Sequence, residues 1–405
     1  MRPFDGRTVV LGVTGGIAAY KAVMLARLLT QAGAHVDVVL TRSAKEFVGA
    51  VTFEALTGRP VHEALVAQGH ALDHIRLAKR ADLVIVAPAT ADFLARAAQG
   101  HADDLLTAVL LATAAPVVIA PAMNDRMWAH PQVGHNVGRL RAFGDSLVEP
   151  DVGPLAQGEG SGPGRLPEPE TLIAHAARAL EGLTSLAGRH VVVTAGPTRE
   201  SLDPVRFLTN HSTGRMGVAI AAAAWQRGAD VTLIHGPLEV PLPVGPVAHA
   251  VTSTADMHDA VLAALPIADV LVMAAAPADF APVSVASEKL SKRAGDAVHT
   301  VALTTTSDIL RDTRAVRPAH AVIVGFALET GGLDAKATAK LSEKGLDLIV
   351  GNDATVPGAG FGTDTNVVTI YDREGGREAL PLAAKSDVAH HLLDRIDARL
   401  APAVA

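Results

Sequence analysis

Residues 190–217 read HVVVTAGPTRESLDPVRFLTNHSTGRMG. Four residues suited to a buried strand, His190 to Val193, run into a Gly196-Pro197 break and a polar segment. The stretch closes on Thr213-Gly214-Arg215, ahead of an alanine-rich helix. A strand, a loop with free backbone N–H groups and a helix N-terminus together form an anion site. Arg199, Arg206 and Arg215 suit phosphate better than lysines would, because the guanidinium is a planar fork. An ordinary crossover of an α/β sheet with solvated arginines accounts for the same residues.

Working outward, further strands are expected at Asp230–His235, Val270–Ala274, Ala321–Phe326 and Leu348–Val350. A closing hairpin over NVVTIYDREGGREAL should turn at Gly375-Gly376. The first half reads the same way. Strand Thr8–Val13 leads to Thr14-Gly15-Gly16 and a helix stopped by Gly33; strand His35–Leu40 leads to Thr41-Arg42-Ser43. Strand Leu83–Ala87 leaves into Pro88-Ala89-Thr90, and Val117–Ala120 into PAMNDRMW at 121–128. The alternation of strand and helix predicts α/β architecture with two Rossmann-like, doubly wound parallel-sheet domains. RADLVIVAPATADF at 80–93 and IADVLVMAAAPADF at 267–280 echo one another, one from each half. Residues 150–169 are dense in Gly and Pro and read as a linker or as a lid over a site. A helix from about 170 to 186 follows, which sets the domains at 1–187 and 188–405.

The 405 residues allow two or three domains, and a core of Ala, Val and Leu follows from 49% hydrophobic and 3% aromatic content. A formal charge of −7 argues against general nucleic-acid affinity, so an anionic substrate must be caught by local basic residues. The absence of cysteine excludes disulfides, zinc–thiolate sites and a cysteine nucleophile, and agrees with a cytoplasmic home. No signal peptide is expected in MRPFDGRTVVLGVTGG, and the apolar run Ala108–Met123 is broken by Pro116, so no membrane span is expected.

Gly15, Gly16, Thr41, Ser43 and Thr90 converge on one sheet edge and suit a phosphate-bearing cofactor, through N–H groups and hydroxyls. His74, beside Ile75 and Leu77, reads as a packed residue or a catalyst; Asn124 reads as a helix N-cap or a ligand group. Lys336, Lys340 and Lys344 lie four apart on a predicted helix, so they share a face. Like charges so placed repel by roughly 0.2–0.5 kcal/mol per pair, and a triphosphate would turn that into attraction; a solvated face eased by Glu343 is the other reading. Lys289 lies in SEKLSKR, a basic loop.

GVTGGIAAYK, TRSAKEFV, His74-Ile75, APATAD and PAMNDRMW, in this order, resemble the flavin-containing cysteine decarboxylases, phosphopantothenoylcysteine decarboxylase above all. AGPTRESLDPVRFLTNHSTGRMG, AAAPADF, EKLSKR, GFALET and KLSEKGLDLIVGND resemble phosphopantothenate–cysteine ligase. The two in this order resemble the bifunctional bacterial enzymes of coenzyme A biosynthesis, across almost the entire chain. The resemblance implies FMN in the first half, with its phosphate near Gly15, Gly16, Ser43 and Thr90, and His74 and Asn124 as catalytic residues. It implies that 4'-phosphopantothenate is joined to cysteine with CTP and Mg²⁺, through an acyl-cytidylate that releases CMP and pyrophosphate. Positions matching Asp279, Lys289, Ser307, Asp308, Ile309, Leu310, Phe326, Lys340 and Lys344 contact CTP in the family, and Asn210, Arg206 and Lys289 are expected to act in catalysis. Asp279 and Phe326 could be a cap and a core aromatic, or could read cytosine by hydrogen bonding and stacking. No carboxylate cage for the metal is visible. The resemblance further implies that the 4'-phosphopantothenoylcysteine formed is then decarboxylated to 4'-phosphopantetheine. The family implies a homo-oligomer, with trimeric decarboxylase contacts, flavin at the subunit interface, dimeric ligase contacts and a dodecamer in all.

Departures from the family pattern are specific. Many relatives carry a proton-donating cysteine in the 150–169 lid, where this chain has Gln157. Glutamine cannot serve as a general acid at neutral pH. Asp92 replaces a usual asparagine near the flavin, and Ser291 interrupts a lysine-rich loop in which Arg293 partly restores the charge. Two competing readings remain: a ligase fused to a flavin domain that decarboxylates without reducing, and a flavin-binding regulatory protein.

Overall fold

The computed structural model describes residues 3–66, 71–181, 186–291, 300–353 and 355–400. The chain divides into two units, Met1–Gly182 and Leu183–Ala405. Leu186 is fully buried in the core of the second unit, so the division falls slightly before the 187/188 boundary expected from sequence.

Unit one holds strands β1 (Thr8–Val13), β2 (His35–Leu40), β3 (Leu83–Ala89), β4 (Val117–Pro121) and β5 (Ser146–Leu147). They form a parallel sheet in the order β2-β1-β3-β4-β5. The strands alternate their side chains between two cores. Val9, Leu11 and Val13 pack with Leu25 and Leu29 of the helix Ala19–Gln31; Val10, Val84 and Val86 pack with Phe93, Leu94 and Leu106 on the other face. A sheet covered on both faces needs apolar residues at every position, and LVIVAPA in β3 is buried throughout. Each fully buried Val or Leu contributes about 1.5–3 kcal/mol. Residues 150–169 are neither bare linker nor loose loop: β6 (Asp151–Pro154) and β7 (Ser161–Arg165) pair antiparallel. The Met123 amide donates to the Gly164 carbonyl at 3.0 Å, which docks this hairpin on the loop after β4.

Unit two contains β8 (His190–Ala195), β9 (Glu200–Ser201), β10 (Phe207–Leu208), β11 (Asp230–His235), β12 (Val247–Ala250), β13 (Val270–Met273), β14 (Phe280–Pro282), β15 (Leu303–Thr305), β16 (Val322–Glu329), β17 (Leu348–Asp353), β18 (Thr365–Asp372) and β19 (Arg377–Ala384). Eight of these form one sheet in the order β12-β11-β8-β13-β16-β17-β18-β19. The first six run parallel, and β18 and β19 close the edge as the expected antiparallel hairpin. Read in chain order, the parallel part has the dinucleotide-binding order, reversing between β8 and β13. The small hairpins β9–β10 and β14–β15 went unforeseen, because two or three residues carry no readable period.

In unit one, Asp145 lies in a cavity of about 540 Å³ between Leu110, Leu140 and Phe143, and no described side chain pairs with its carboxylate. Desolvation pushes its pKa up to about 6 from 3.8. The folded chain therefore holds this proton more tightly than the unfolded chain does. The associated stability is present below about pH 4 and is lost as pH rises through about 6. Asp145→Asn is expected to stabilise unit one at pH 7.5 by about 1 kcal/mol, partial exposure trimming the full shift. The gain should fade toward pH 4. Melting curves of both proteins at the two pH values check this; equal melting temperatures at pH 7.5 refute it.

Candidate functional site

The strand order of unit one reverses between β1 and β3, and a cavity of about 610 Å³ opens at their carboxyl ends. Gly15, Gly16, Thr90 and Asn124 line it. Thr14, almost fully buried, joins the two loops: its hydroxyl donates to the Pro88 carbonyl at 2.8 Å and accepts the Thr90 amide at 3.1 Å. A Cβ at Gly15 would lie 2.4 Å from that of Ser43, so the first loop rests directly on the second. Ser43 stands behind Gly15 and does not itself line the cavity. Thr90 caps the helix Ala91–Gln99, its hydroxyl oxygen accepting the Phe93 amide at 3.3 Å. Asn124 is at once an N-cap and a cavity residue: Oδ1 accepts the Arg126 amide at 2.9 Å, which leaves Nδ2 for a ligand. Lys21, 4% exposed on the helix Ala19–Gln31, also lines the cavity; Nζ donates to the Leu166 carbonyl at 2.7 Å and to Glu168 at 2.9 Å. Sequence reasoning passed over Lys21. Its signal was a lysine at a core position of an otherwise apolar helix face.

His74 is not among the residues lining this cavity. It lines a separate hollow with Leu65, Ala71, Ala108 and Ala112, and its buried Nδ1 has no hydrogen-bond partner among the described residues. The lid contributes Leu155, Ala156 and Glu159, while Gln157 is exposed outside the lining. Asp92, the departure from the family asparagine, is exposed, bonds to Arg96 at 3.1 Å and does not line this cavity.

The second cavity, about 300 Å³, lies at the carboxyl ends of β13, β16 and β17, against the start of the helix Arg215–Gln226. Asp279, Phe326 and Lys340 line it with Ser212, Thr213, Gly214 and Arg215. Asn210 stands at its edge: Nδ2 donates to the Ala276 carbonyl and Oδ1 accepts the Ser212 amide at 2.9 Å. Burial, followed by the nearby Lys344, pushes the Lys340 pKa down, with Asp308, Asp279 and Glu329 opposing. Its Nζ donates to the Phe326 carbonyl at 2.8 Å.

The shared lysine face does not form as read. Lys336 pairs with Glu329 at 2.6 Å and Lys344 pairs with Asp308, so Lys340 alone of the three lines the cavity. Asp308 caps the short helix Ile309–Asp312; Ile309 and Leu310 are buried in the core, and Ser307 is exposed. None of these four lines the cavity, although the neighbouring Thr306 amide donates to the Asp279 carbonyl at 3.0 Å.

Arg206 and Lys289 lie outside the lining too, and Arg206 is tied to Leu290, the neighbour of Lys289, by a residue the sequence did not single out. Asp203, 2% exposed, accepts the Leu290 amide at 3.1 Å and Arg206 Nε at 2.9 Å, and Arg206 also donates to the Leu290 carbonyl. Burial opposes the charge, but Arg206 and the Val205, Leu290 and Arg206 amides hold the Asp203 carboxyl well below the usual range. The backbone beside Lys289 is thereby pinned, while its side chain is exposed; Arg293 lies outside the described residues. Among the described residues there is no group of three or more His, Asp or Glu able to hold a metal ion, and no helix is long and apolar enough to cross a membrane.

Comparison with known proteins follows the same division. A family model described as Flavoprotein matches residues 2–181, and one described as DNA/pantothenate metabolism flavoprotein C-terminal domain matches residues 186–400. The coenzyme A biosynthesis bifunctional protein CoaBC of Bacillus subtilis (strain 168) is 46% identical over 399 residues, covering 97% of each chain. The protein of the same name from Mycolicibacterium smegmatis is 46% identical over 408 residues, covering 97% of this chain and 98% of its own. Among solved structures, the C-terminal domain of a coenzyme A biosynthesis bifunctional protein CoaBC is 37% identical with a TM-score of 0.45, covering 53% of this chain and 96% of its own.

Proposed function

This chain belongs to the family of coenzyme A biosynthesis bifunctional proteins, and on that premise we propose how its two units divide the work. It acts in coenzyme A biosynthesis through ligase and FMN-dependent decarboxylase activities. Unit two joins 4'-phosphopantothenate to cysteine at the expense of CTP, through an acyl-cytidylate. Unit one converts the resulting 4'-phosphopantothenoylcysteine to 4'-phosphopantetheine. The observation that carries this reading is that each sheet opens a cavity at its own carboxyl edge, with helix-start amides and basic side chains suited to a phosphorylated nucleotide.

The residues of unit one fit FMN: Gly15 and Gly16 leave backbone amides unobstructed, Thr90 adds a hydroxyl and Lys21 a buried positive charge. Bound there, the flavin supplies the two-electron oxidation and reduction on either side of carbon dioxide loss. Asn124 Nδ2 holds the substrate carboxylate. Met123, Met127 and Leu155 form an apolar wall that excludes water, which favours loss of a charged group as neutral carbon dioxide. His74 moves a proton. Because it does not line the cavity of Asn124, it reaches that site from a neighbouring subunit, which makes a homo-oligomer part of the mechanism. Trimeric contacts of this unit and dimeric contacts of the ligase unit combine in a dodecamer.

In unit two, positioning and charge neutralisation dominate, since little covalent work falls to the protein. Asp279 and Phe326 read cytosine by hydrogen bonding and stacking. Lys340, Arg215 and the amides at the start of the helix Arg215–Gln226 take the phosphates, with Lys289 joining from its pinned loop. Asn210 orients the pantothenate carboxylate for attack on the α-phosphate, and Arg206 assists through the same loop. Mg²⁺ would be held chiefly by the triphosphate and would supply further neutralisation of its charge.

Supplying phosphopantothenate, cysteine and CTP and identifying every product tests the whole reading. Under anaerobic turnover, mass spectrometry is expected to find 4'-phosphopantetheine, because the lid hairpin is formed and docked despite Gln157. An enethiol as sole product would instead support decarboxylation without reduction.

A further inference from the structure

We propose that Lys385 is a positioning residue of the unit-two nucleotide site, holding loop 358–364 in place as one wall of the cavity. The proposal rests on the ligase reading of that site and adds to it a residue far from the loops that bring the other cations.

Lys385 begins the helix Lys385–Asp397, lines the cavity and is only 5% exposed. Among the described residues no carboxylate forms an ion pair with it. Its ammonium donates to three backbone carbonyls of a single loop: Gly360 at 2.8 Å, Phe361 at 3.3 Å and Thr363 at 2.5 Å. Its own amide donates to the Asp364 carbonyl at 2.9 Å. Carbonyls converge this way because Gly358 and Gly360 take positive φ, 81° and 112°, which most side chains resist. Burying an ammonium is costly unless every proton is bonded, and here all three are used on the loop. Burial, then Arg215, lowers the Lys385 pKa to about 8, with Asp364 opposing.

The far side of the loop is fastened as well. Thr213 Oγ1 donates to the Phe361 carbonyl at 2.6 Å, and Arg215 pairs with Asp364. Both residues belong to the Thr213-Gly214-Arg215 turn that opens the anion-binding helix. Loop 358–364 therefore bridges the starts of two helices, and its Gly360 and Phe361 line the same cavity as Lys340 and Asp279. With no proton to spare, Lys385 cannot bond a ligand directly without releasing the loop. Its role is to fix the wall, and to add a third positive charge to a cavity whose other cations are Arg215 and Lys340.

The test uses the full-length enzyme with Lys385→Met, which keeps the apolar stem and removes the donors. KM for CTP is expected to rise at least tenfold with kcat changed by no more than about threefold, as for loss of hydrogen bonds to a charged group. Backbone hydrogen exchange over 358–364 should quicken in parallel, and Lys385→Arg should restore part of both. A kcat for ligation within that limit reports that unit two has folded, and decarboxylation of supplied phosphopantothenoylcysteine reports the same for unit one. Gly360→Ala is the second variant: no atom lies within 4 Å of the added Cβ, yet φ of 112° strains the loop, so KM for CTP should rise there too. Wild-type KM in both variants, or unchanged exchange in Lys385→Met, overturns the proposal. A wild-type enzyme that leaves CTP intact overturns the ligase reading itself and is recognised before either variant is compared.

Discussion

Co-expressed His74→Gln and Asn124→Ala chains are expected to recover decarboxylation that neither variant shows alone. Removing a positioned general acid–base group lowers the rate by about 10²–10⁴-fold, so His74→Gln should be nearly inactive while still binding flavin. Asn124→Ala should lose substrate carboxylate binding. Within one chain the two side chains line different hollows, and the His74 Nδ1 is buried without a partner among the described residues. An unpaired buried donor or acceptor costs about 1–3 kcal/mol, a cost relieved when a second subunit completes the site. If each site takes His74 from one subunit and Asn124 from the next, random mixing leaves about a quarter of the sites with both native residues. Carbon dioxide release from mixed, doubly tagged oligomers measures this. Mixtures no more active than the single variants would mean that both residues serve a site within one chain.

Lys340→Met should raise KM for CTP by about 10–100-fold, the loss expected for one buried, charge-assisted contact to phosphate. Lys340 lines the cavity beside Asp279 and Phe326, and its depressed pKa means that an arriving polyanion favours its charged form. Lys336→Met, one helical turn away, should change KM by less than about twofold, as for an exposed ion pair. Steady-state kinetics on the pair separates a single inward lysine from a shared basic face. Equal effects at both positions would restore the face.

The contrast between these two lysines shows how far local pattern reaches. Their spacing on a helix was correctly legible, and the helix Leu333–Lys344 forms. Which lysine turns inward depended on Glu329 and Asp308, carried by other elements and taking up Lys336 and Lys344. Likewise Gly15, Gly16 and Thr90 could be read as a cluster, because each follows a recognisable strand and the ends of parallel strands converge, whereas Ser43, read with them, stands behind Gly15, and Asn124 joins them only in the fold. Ile309 and Leu310 carry a family motif, yet their side chains are apolar and go to the core. Thr14, Lys21, Asp203 and Lys385 escaped notice because their partners lie in other loops or elements, where neither periodicity nor a short motif looks.

The order of strands and helices, the two doubly wound units, the glycine turns and the family were determined by the sequence itself, since buried strands and helix starts have short-range signatures in hydrophobic period and turn chemistry. Tertiary structure alone decided that His74 and Asn124 part company, that the Gly/Pro stretch becomes a docked hairpin, and that a lysine at the start of the last helix grips a wall of the nucleotide cavity. Those outcomes rest on contacts between segments distant in the chain, and such contacts are settled by burial and by the need of each buried polar group for a partner.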